Sequence, residues 1–237
     1  MIEVNHLSKK YGQIDALQNI DFVLPRNEIV FFVGPNGAGK STLMRLMCGY
    51  ISPSSGEVLI SGQNVQNNHS LYSSLGYVAE NSPLYPDMTV YEYIKYVADL
   101  HQIKRQDFAQ NLPIVLHNLQ LEKVLTQRID TLSKGFRHRV AIAGALIFNP
   151  EILLLDEPTE GLDPNQKYQM HQFIKQYRKN RLIIISSHLM EEVEKIADRV
   201  ILMSNGRLRW DGTPQEMMRQ SPDGTIETMF RQLTGEQ

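Results

Sequence analysis

Two short stretches of the chain are suited to holding anions. "GPNGAGKS", Gly34 to Ser41, sets glycines around a lysine and ends in a hydroxyl. In such a P-loop pattern Gly34, Gly37 and Gly39 let backbone N–H groups curl around phosphates. Lys40 reaches the terminal ones and Ser41 offers its hydroxyl to Mg²⁺. The candidate ligand set is Gly34, Pro35, Asn36, Gly37, Ala38, Gly39, Lys40 and Ser41, with Thr42 following. The second stretch, "LSKGF" (Leu132 to Phe136), places Ser133 to cap a helix and Gly135 where a backbone can come close. The helix behind it carries partial positive charge at its start. One phosphate loop serves one nucleotide, so the second stretch raises the question of whose phosphate it meets.

A third stretch, "EILLLDEP" (Glu151 to Pro158), ends an apolar run in two carboxylates. Beside a P-loop, Asp156 supports Mg²⁺, directly or through a water, and Glu157 polarises the attacking water. A general base of this kind contributes typically ~10²–10⁴ in rate.

These residues need elements to position them. "EIVFFV" (Glu28 to Val33), "EILLL", "LIIIS" (Leu182 to Ser186) and "RVILM" (Arg199 to Met203) read as strands buried on both faces, hence as a mostly parallel central sheet in an α/β fold. The first part, "IEVNHLSKKYG" through "ALQNIDFVL", alternates as antiparallel hairpin material. Val90 to about Arg139 reads as almost wholly helical, an inserted helical subdomain of about residues 87–140. Thr89 and Glu92 form a capping box at its start, and Thr213, Pro214 and Glu216 open a helical tail of about 214–237. The 237 residues, 42% hydrophobic, fit one large domain or two small ones with an ordinary core, and a single domain over 1–237 is expected. A formal net charge of -2 gives no general attraction to nucleic acid, and none is expected as a partner. The single cysteine, Cys48, suits a reducing compartment and reads as core packing. The opening "MIEVNHLSKK" has no apolar signal core, and the apolar runs fall far short of the ~20 residues a membrane helix needs. A cytoplasmic protein is expected, one that works at a membrane only through a partner.

In order, Tyr11, the P-loop, "GYVAEN", "LSKGF", "LLLDEP", "GLDP" and the histidine of "SSH" resemble the nucleotide-binding subunit of ATP-binding cassette (ABC) transporters along nearly the whole chain. The resemblance implies a P-loop NTPase fold, an ATPase with ATP and Mg²⁺ as ligands, and head-to-tail pairing with a second such subunit, most simply an identical one. It implies that Tyr11 stacks on adenine, that Asp163 belongs to the dimer-contact loop and that His188 reaches the γ-phosphate. It also answers the opening question: Ser133 and Gly135 address the ATP held by the partner's P-loop. His188 has a reading of its own, as a loop residue at the carboxyl end of a buried strand.

Two departures from the family pattern stand out. The signature reads "LSKGF", with Lys134 and Phe136 where a second glycine and a glutamine are commoner. Glu80 stands where the family usually has a glutamine, and as a carboxylate it can approach Mg²⁺. The phrase "GYVAENSPLYPDMTVYEYI" resembles the branch that works with separate ABC-2-type exporter permeases, and implies export from the cytoplasmic face of the membrane. The alternative is a soluble ABC-type ATPase acting on DNA or ribosomes. Such relatives usually carry tandem cassettes or long coiled-coil insertions. A P-loop kinase or GTPase fits less well, since no guanine-reading N-K-x-D tetrad is present.

Overall fold

Alternating apolar and polar residues from Ile2 onward make a strand with one buried face, and the computed structural model, which describes residues 1–235, opens with two of them. Strands β1 (Ile2–Tyr11) and β2 (Ile14–Leu24) pair antiparallel across a two-residue turn in which Gly12 takes φ 58°. Ile2, Val4 and Leu7 of β1 point into the core. After β3 (Ile29–Val33) and helix α1 (Lys40–Met47), β4 (Ser55–Ile60) returns to pair with β1, and the short β5 (Gln63–Asn64) closes an antiparallel sheet of order β2-β1-β4-β5.

The chain then adds β6 (Leu75–Val78), helices α2 (Val90–Leu100), α3 (Arg105–Leu119) and α4 (Lys134–Leu146), and β7 (Ile152–Asp156). There follow α5 (Pro164–Tyr177), β8 (Leu182–Ser187), α6 (Met190–Ile196), β9 (Arg199–Ser204), β10 (Arg207–Gly212), α7 (Pro214–Gln220) and α8 (Ile226–Thr234). The second sheet runs β10-β9-β3-β8-β7-β6, parallel throughout except for β10.

The wholly apolar "IVFFV" of β3 sits in the middle of this sheet for a packing reason. Ile29, Phe31 and Val33 join the core formed with α2 to α6, while Val30 and Phe32 join the core formed with α1 and the antiparallel sheet. All five are fully buried, and each such side chain contributes ~1.5–3 kcal/mol relative to exposure.

Both capping boxes form. The Thr89 N–H donates to Glu92 Oε2 at 2.8 Å and the Glu92 N–H to Thr89 Oγ1 at 3.2 Å, and Thr213 with Glu216 repeats the pattern. Three features differ from the expectation. Helix α4 runs past Arg139 to Leu146, because "VAIAGAL" continues the helix as a buried segment. Strand β6 is too short to announce itself, and β10 alternates half-buried and exposed residues without an apolar run. Glu236 and Gln237, the end of the expected tail, lie outside the described residues. Among the described residues no helix is long and apolar enough to cross a membrane.

Candidate active site

The carboxyl ends of β3, β7 and β8 lie side by side in the sheet, and the loops leaving them carry the P-loop, the acid pair and the histidine. Gly34 leaves β3 so close to β9 that an added Cβ would sit 2.2 Å from the Met203 carbonyl oxygen, so only glycine fits. Lys40, 7% exposed, turns back into the loop, its Nζ donating to the Gly34 carbonyl at 2.6 Å and to that of Pro35 at 3.2 Å. Gly39, at φ 105°, precedes α1 and offers no side-chain cap, which leaves the first N–H groups of α1 to a ligand. The loop is braced from outside. The Gly206 N–H donates to the Ala38 carbonyl at 3.1 Å, and the Gln18 N–H to that of Gly206 at 2.8 Å.

In front of the loop lies a cavity of about 690 Å³. Asn36, Gly37, Ala38, Gly39, Lys40, Ser41 and Thr42 line one side, and Glu80, Asp156, Glu157 and His188 line the other. Asp156, 3% exposed, accepts a hydrogen bond from Ser186 Oγ. Glu157 holds the left-handed backbone conformation, φ 50°, at a cost of ~1–3 kcal/mol for a residue other than glycine. Its N–H donates to Ser186 Oγ at 3.0 Å and to the Ser186 carbonyl at 3.2 Å, which fixes that conformation. Its carboxylate meets His188 Nδ1 at 3.0 Å. Burial pushes the Glu157 carboxyl above its ordinary range, with His188 and Lys40 pulling the other way; a base moved toward the working pH is the more effective one. Burial likewise lowers the Lys40 ammonium, against the pull of Glu157, Asp156 and Glu80.

Asp15, Glu80, Asp156, Glu157 and Glu160 put five carboxylates around this cavity against one lysine. A phosphate ligand entering so acidic a site needs a cation with it. Among the described residues no three of His, Cys, Asp and Glu gather as a metal cage. The Ser41 hydroxyl with the Asp156 and Glu80 carboxylates on the cavity wall fits Mg²⁺, which is usually bound through one or two carboxylates together with waters and substrate phosphates.

Other candidate residues lie elsewhere. Gly34 and Pro35 form the back of the loop and do not line the cavity. Nor does Tyr11, which is 45% exposed at the end of β1 with Lys9 Nζ 5.1 Å from its ring centre; Ile14, across the turn, does line it. Ser133 and Gly135 are also absent from the lining. Ser133 is exposed and caps α4, its Oγ accepting from the Phe136 N–H at 3.3 Å. Gly135 faces Leu162 and Gln166, and Lys134 Nζ lies 3.5 Å from Glu160 Oε1. Asp163 caps α5 by accepting from the N–H groups of Asn165 at 2.9 Å and Gln166 at 3.0 Å. The residues missed by the sequence reading are Ile14, Asp15, Ala16, Gln18, Glu160, Asn205 and Gly206. Only the Asn205-Gly206 pair had a signal, since Asn-Gly between two strands marks a tight hairpin.

The chain matches the ABC transporter family over residues 17–160. It is 33% identical over 241 residues to YbhF of Escherichia coli (strain K12), described as a probable multidrug ABC transporter ATP-binding protein; the match covers 98% of this chain and 41% of that protein. The chain thus spans less than half the length of that relative. It is also 33% identical over 221 residues to CysA of Mesostigma viride, a sulfate/thiosulfate import ATP-binding protein, covering 92% of this chain and 64% of the relative. Among solved structures, the ATP-binding subunit of an ABC transporter superposes with a TM-score of 0.90 at 27% identity, over 98% of this chain and 99% of the other. Sequence, fold and the glycine-rich loop at the end of β3 agree, and the chain belongs to the ABC transporter family.

Proposed function

We propose that the chain hydrolyses ATP with Mg²⁺ to drive a separate membrane permease, and that it does so as a dimer whose two nucleotide sites are shared between chains. The observation that carries this reading is the division of the phosphate-directed residues. The P-loop, Asp156, Glu157 and His188 surround one cavity, while Ser133 and Gly135 stand outside it.

In the proposed site, the N–H groups of Asn36 to Thr42 and the Lys40 ammonium hold the phosphates. Tyr11 and Ile14, on either side of the first hairpin turn, offer the base an aromatic and an aliphatic face, an interaction worth ~1–3 kcal/mol when a ring stacks. Ser41, Asp156 and Glu80 are the oxygen donors for Mg²⁺, which supplies charge neutralisation across the phosphates. Glu157 accepts a proton from the attacking water. His188, held against Glu157 at 3.0 Å, keeps that carboxylate aimed and donates toward the γ-phosphate from the neighbouring loop after β8. Ser133 and Gly135 of a second, identical chain complete the site, so ATP joins the dimer and hydrolysis releases it. Residues of about 87–140 are proposed to form a helical lobe that carries Ser133 toward the partner.

Export is the proposed direction, supported by the resemblance of "GYVAENSPLYPDMTVYEYI" to subunits paired with exporter permeases. Overall identity does not sort direction, being the same to the multidrug and to the import relative. The proposed location is the cytoplasmic face of the membrane. Purification of the tagged chain from membranes should bring down a permease that stimulates its Mg²⁺-dependent ATPase. Recovery instead with ribosomes, or tight binding of DNA or RNA, would favour the nucleic-acid-directed alternative.

Glu80 allows a first prediction. It lines the cavity on the strand-end loop after β6, where a neutral amide could fill most of the same role. Glu80→Gln should keep ATPase activity within about threefold, whereas Glu80→Ala should lower activity or Mg²⁺ affinity by ~10-fold or more, as loss of a group on the metal side does. ATPase measured against Mg²⁺ concentration checks this, and an Ala variant indistinguishable from wild type makes Glu80 an ordinary loop carboxylate.

A further inference from the structure

Behind the active-site loops, and outside the nucleotide cavity, lies a buried carboxylate that the proposed chemistry does not use. Glu192, in the first turn of α6, is 3% exposed. Burying a carboxylate is costly unless its oxygens are matched, and both of its oxygens are. Thr159 Oγ1 donates to Oε1 at 2.5 Å, and Ser187 Oγ donates to Oε2 at 3.3 Å. Lys167 Nζ at 3.7 Å and His171 Nε2 at 3.8 Å supply positive or polar partners from α5. His171 Nε2 is itself buried without a hydrogen-bond partner. Burial pushes the Glu192 carboxyl up, but His171, Thr159 and Lys167 outweigh it and hold the group below the ordinary glutamate range.

The positions of the two hydroxyls matter. Thr159, 2% exposed, lies two residues after Glu157 and leads into the loop that ends at Asp163. Ser187 immediately precedes His188, and its Oγ also accepts the Leu189 N–H at 3.1 Å, which pins the turn around the histidine. One carboxylate therefore bonds the segment after β7 and the segment after β8. The front of the same two segments is joined by the Glu157–His188 contact.

We infer that Glu192 is a positioning residue for ATP hydrolysis, holding the loop of Glu157 and the loop of His188 in one rigid unit through Thr159 and Ser187. This rests on the roles proposed above for Glu157 and His188. Glu192 touches neither the phosphates nor the water, so it acts on the geometry of the chemical step and leaves nucleotide binding to the P-loop. A shift of about an ångström in such a base is enough to cost on the order of 10²-fold in rate.

The test measures kcat and KM for ATP together with ATP affinity and the thermal unfolding midpoint. Glu192→Ala should lower kcat by ~10–100-fold, the usual effect of losing a supporting group, with KM and ATP affinity within about threefold of wild type. Glu192→Gln keeps an oxygen for Thr159 and places its amide by Ser187 Oγ, so it should restore most of that loss. In a Glu157→Gln background, Glu192→Ala should change the residual single-turnover rate by less than about twofold, because residues that act as one unit are not additive. Should Glu192→Ala fail to fold, Thr159→Val removes the same bond from the other side. It should show the same split between kcat and KM and the same non-additivity with Glu157→Gln. Full kcat in a folded Glu192→Ala, an equal loss in KM and affinity, or losses that multiply with Glu157→Gln would overturn the inference. If Glu157→Gln itself retains turnover, the failure belongs to the underlying mechanism; if it loses turnover while Glu192→Ala does not, only the role of Glu192 fails.

Discussion

Glu157→Gln should bind ATP with near-normal affinity and lose ~10²–10⁴ of its turnover, the range typical of a general base. The amide fills the space of the carboxylate, so the two bonds from the Glu157 N–H to Ser186 and the fold of the loop remain. What is lost is the ability to take a proton from water. Because hydrolysis is the step that opens the proposed dimer, the variant should accumulate as an ATP-bound dimer, visible by size-exclusion chromatography with ATP and Mg²⁺. Turnover within about twofold of wild type would remove Glu157 as principal base, given the size of effect expected of such a group. A second readout follows from the contact with His188 Nδ1 at 3.0 Å: His188→Ala should also lose turnover, and the two losses should not multiply.

A mixed dimer with one intact composite site should trap ATP when neither parent homodimer does. Lys40→Ala removes the buried ammonium that closes the P-loop but leaves the exposed Ser133 untouched. Ser133→Arg does the reverse, replacing the hydroxyl that caps α4 with bulk at the surface proposed to face the partner's phosphate. Each homodimer then has two damaged sites. The heterodimer joins the sound P-loop of one chain to the sound signature of the other, and gathers both lesions in its second site. Nucleotide trapping in differently tagged heterodimers is the measurement, since it reads the intact site whether or not the damaged one turns over. Should Ser133→Arg homodimers trap ATP as well as wild type, or the heterodimers trap none, the division of the site between chains is wrong.

The apolar strands were plain in the sequence because burial on both faces leaves a continuous run, as in Ile29–Val33 and Ile152–Asp156. The P-loop was plain because its glycines answer to the backbone: Gly34 has no room for a Cβ, and Gly37 takes φ 81°. The acid pair and His188 could be placed because each follows such a strand. Residues that reach the site by folding alone were not legible. Asp15 and Gln18 sit in a half-exposed hairpin strand with no local mark of the nucleotide cavity, and β10 lacks an apolar run. The Thr159–Glu192–Ser187 bonds join residues whose proximity depends on how α6 packs. Tyr11 shows the converse: its motif is visible in the sequence, yet its ring lies outside the cavity lining.

The place of β3 in the sheet bears on when the protein becomes active during synthesis. Ile29 pairs with Ile183 and Val30 with Arg199, so the strand that presents the P-loop has both of its neighbours in the last third of the chain. The outer brace, from Gly206 to Ala38, comes later still. A ribosome that has made the P-loop has therefore not made a nucleotide site, and contacts so distant in sequence form slowly. A chain interrupted before β8 carries the phosphate-binding motif without the two strands that hold it in shape. The order of strands thus delays formation of the cavity at the loop after β3 until β8, β9 and the turn at Gly206 have been made.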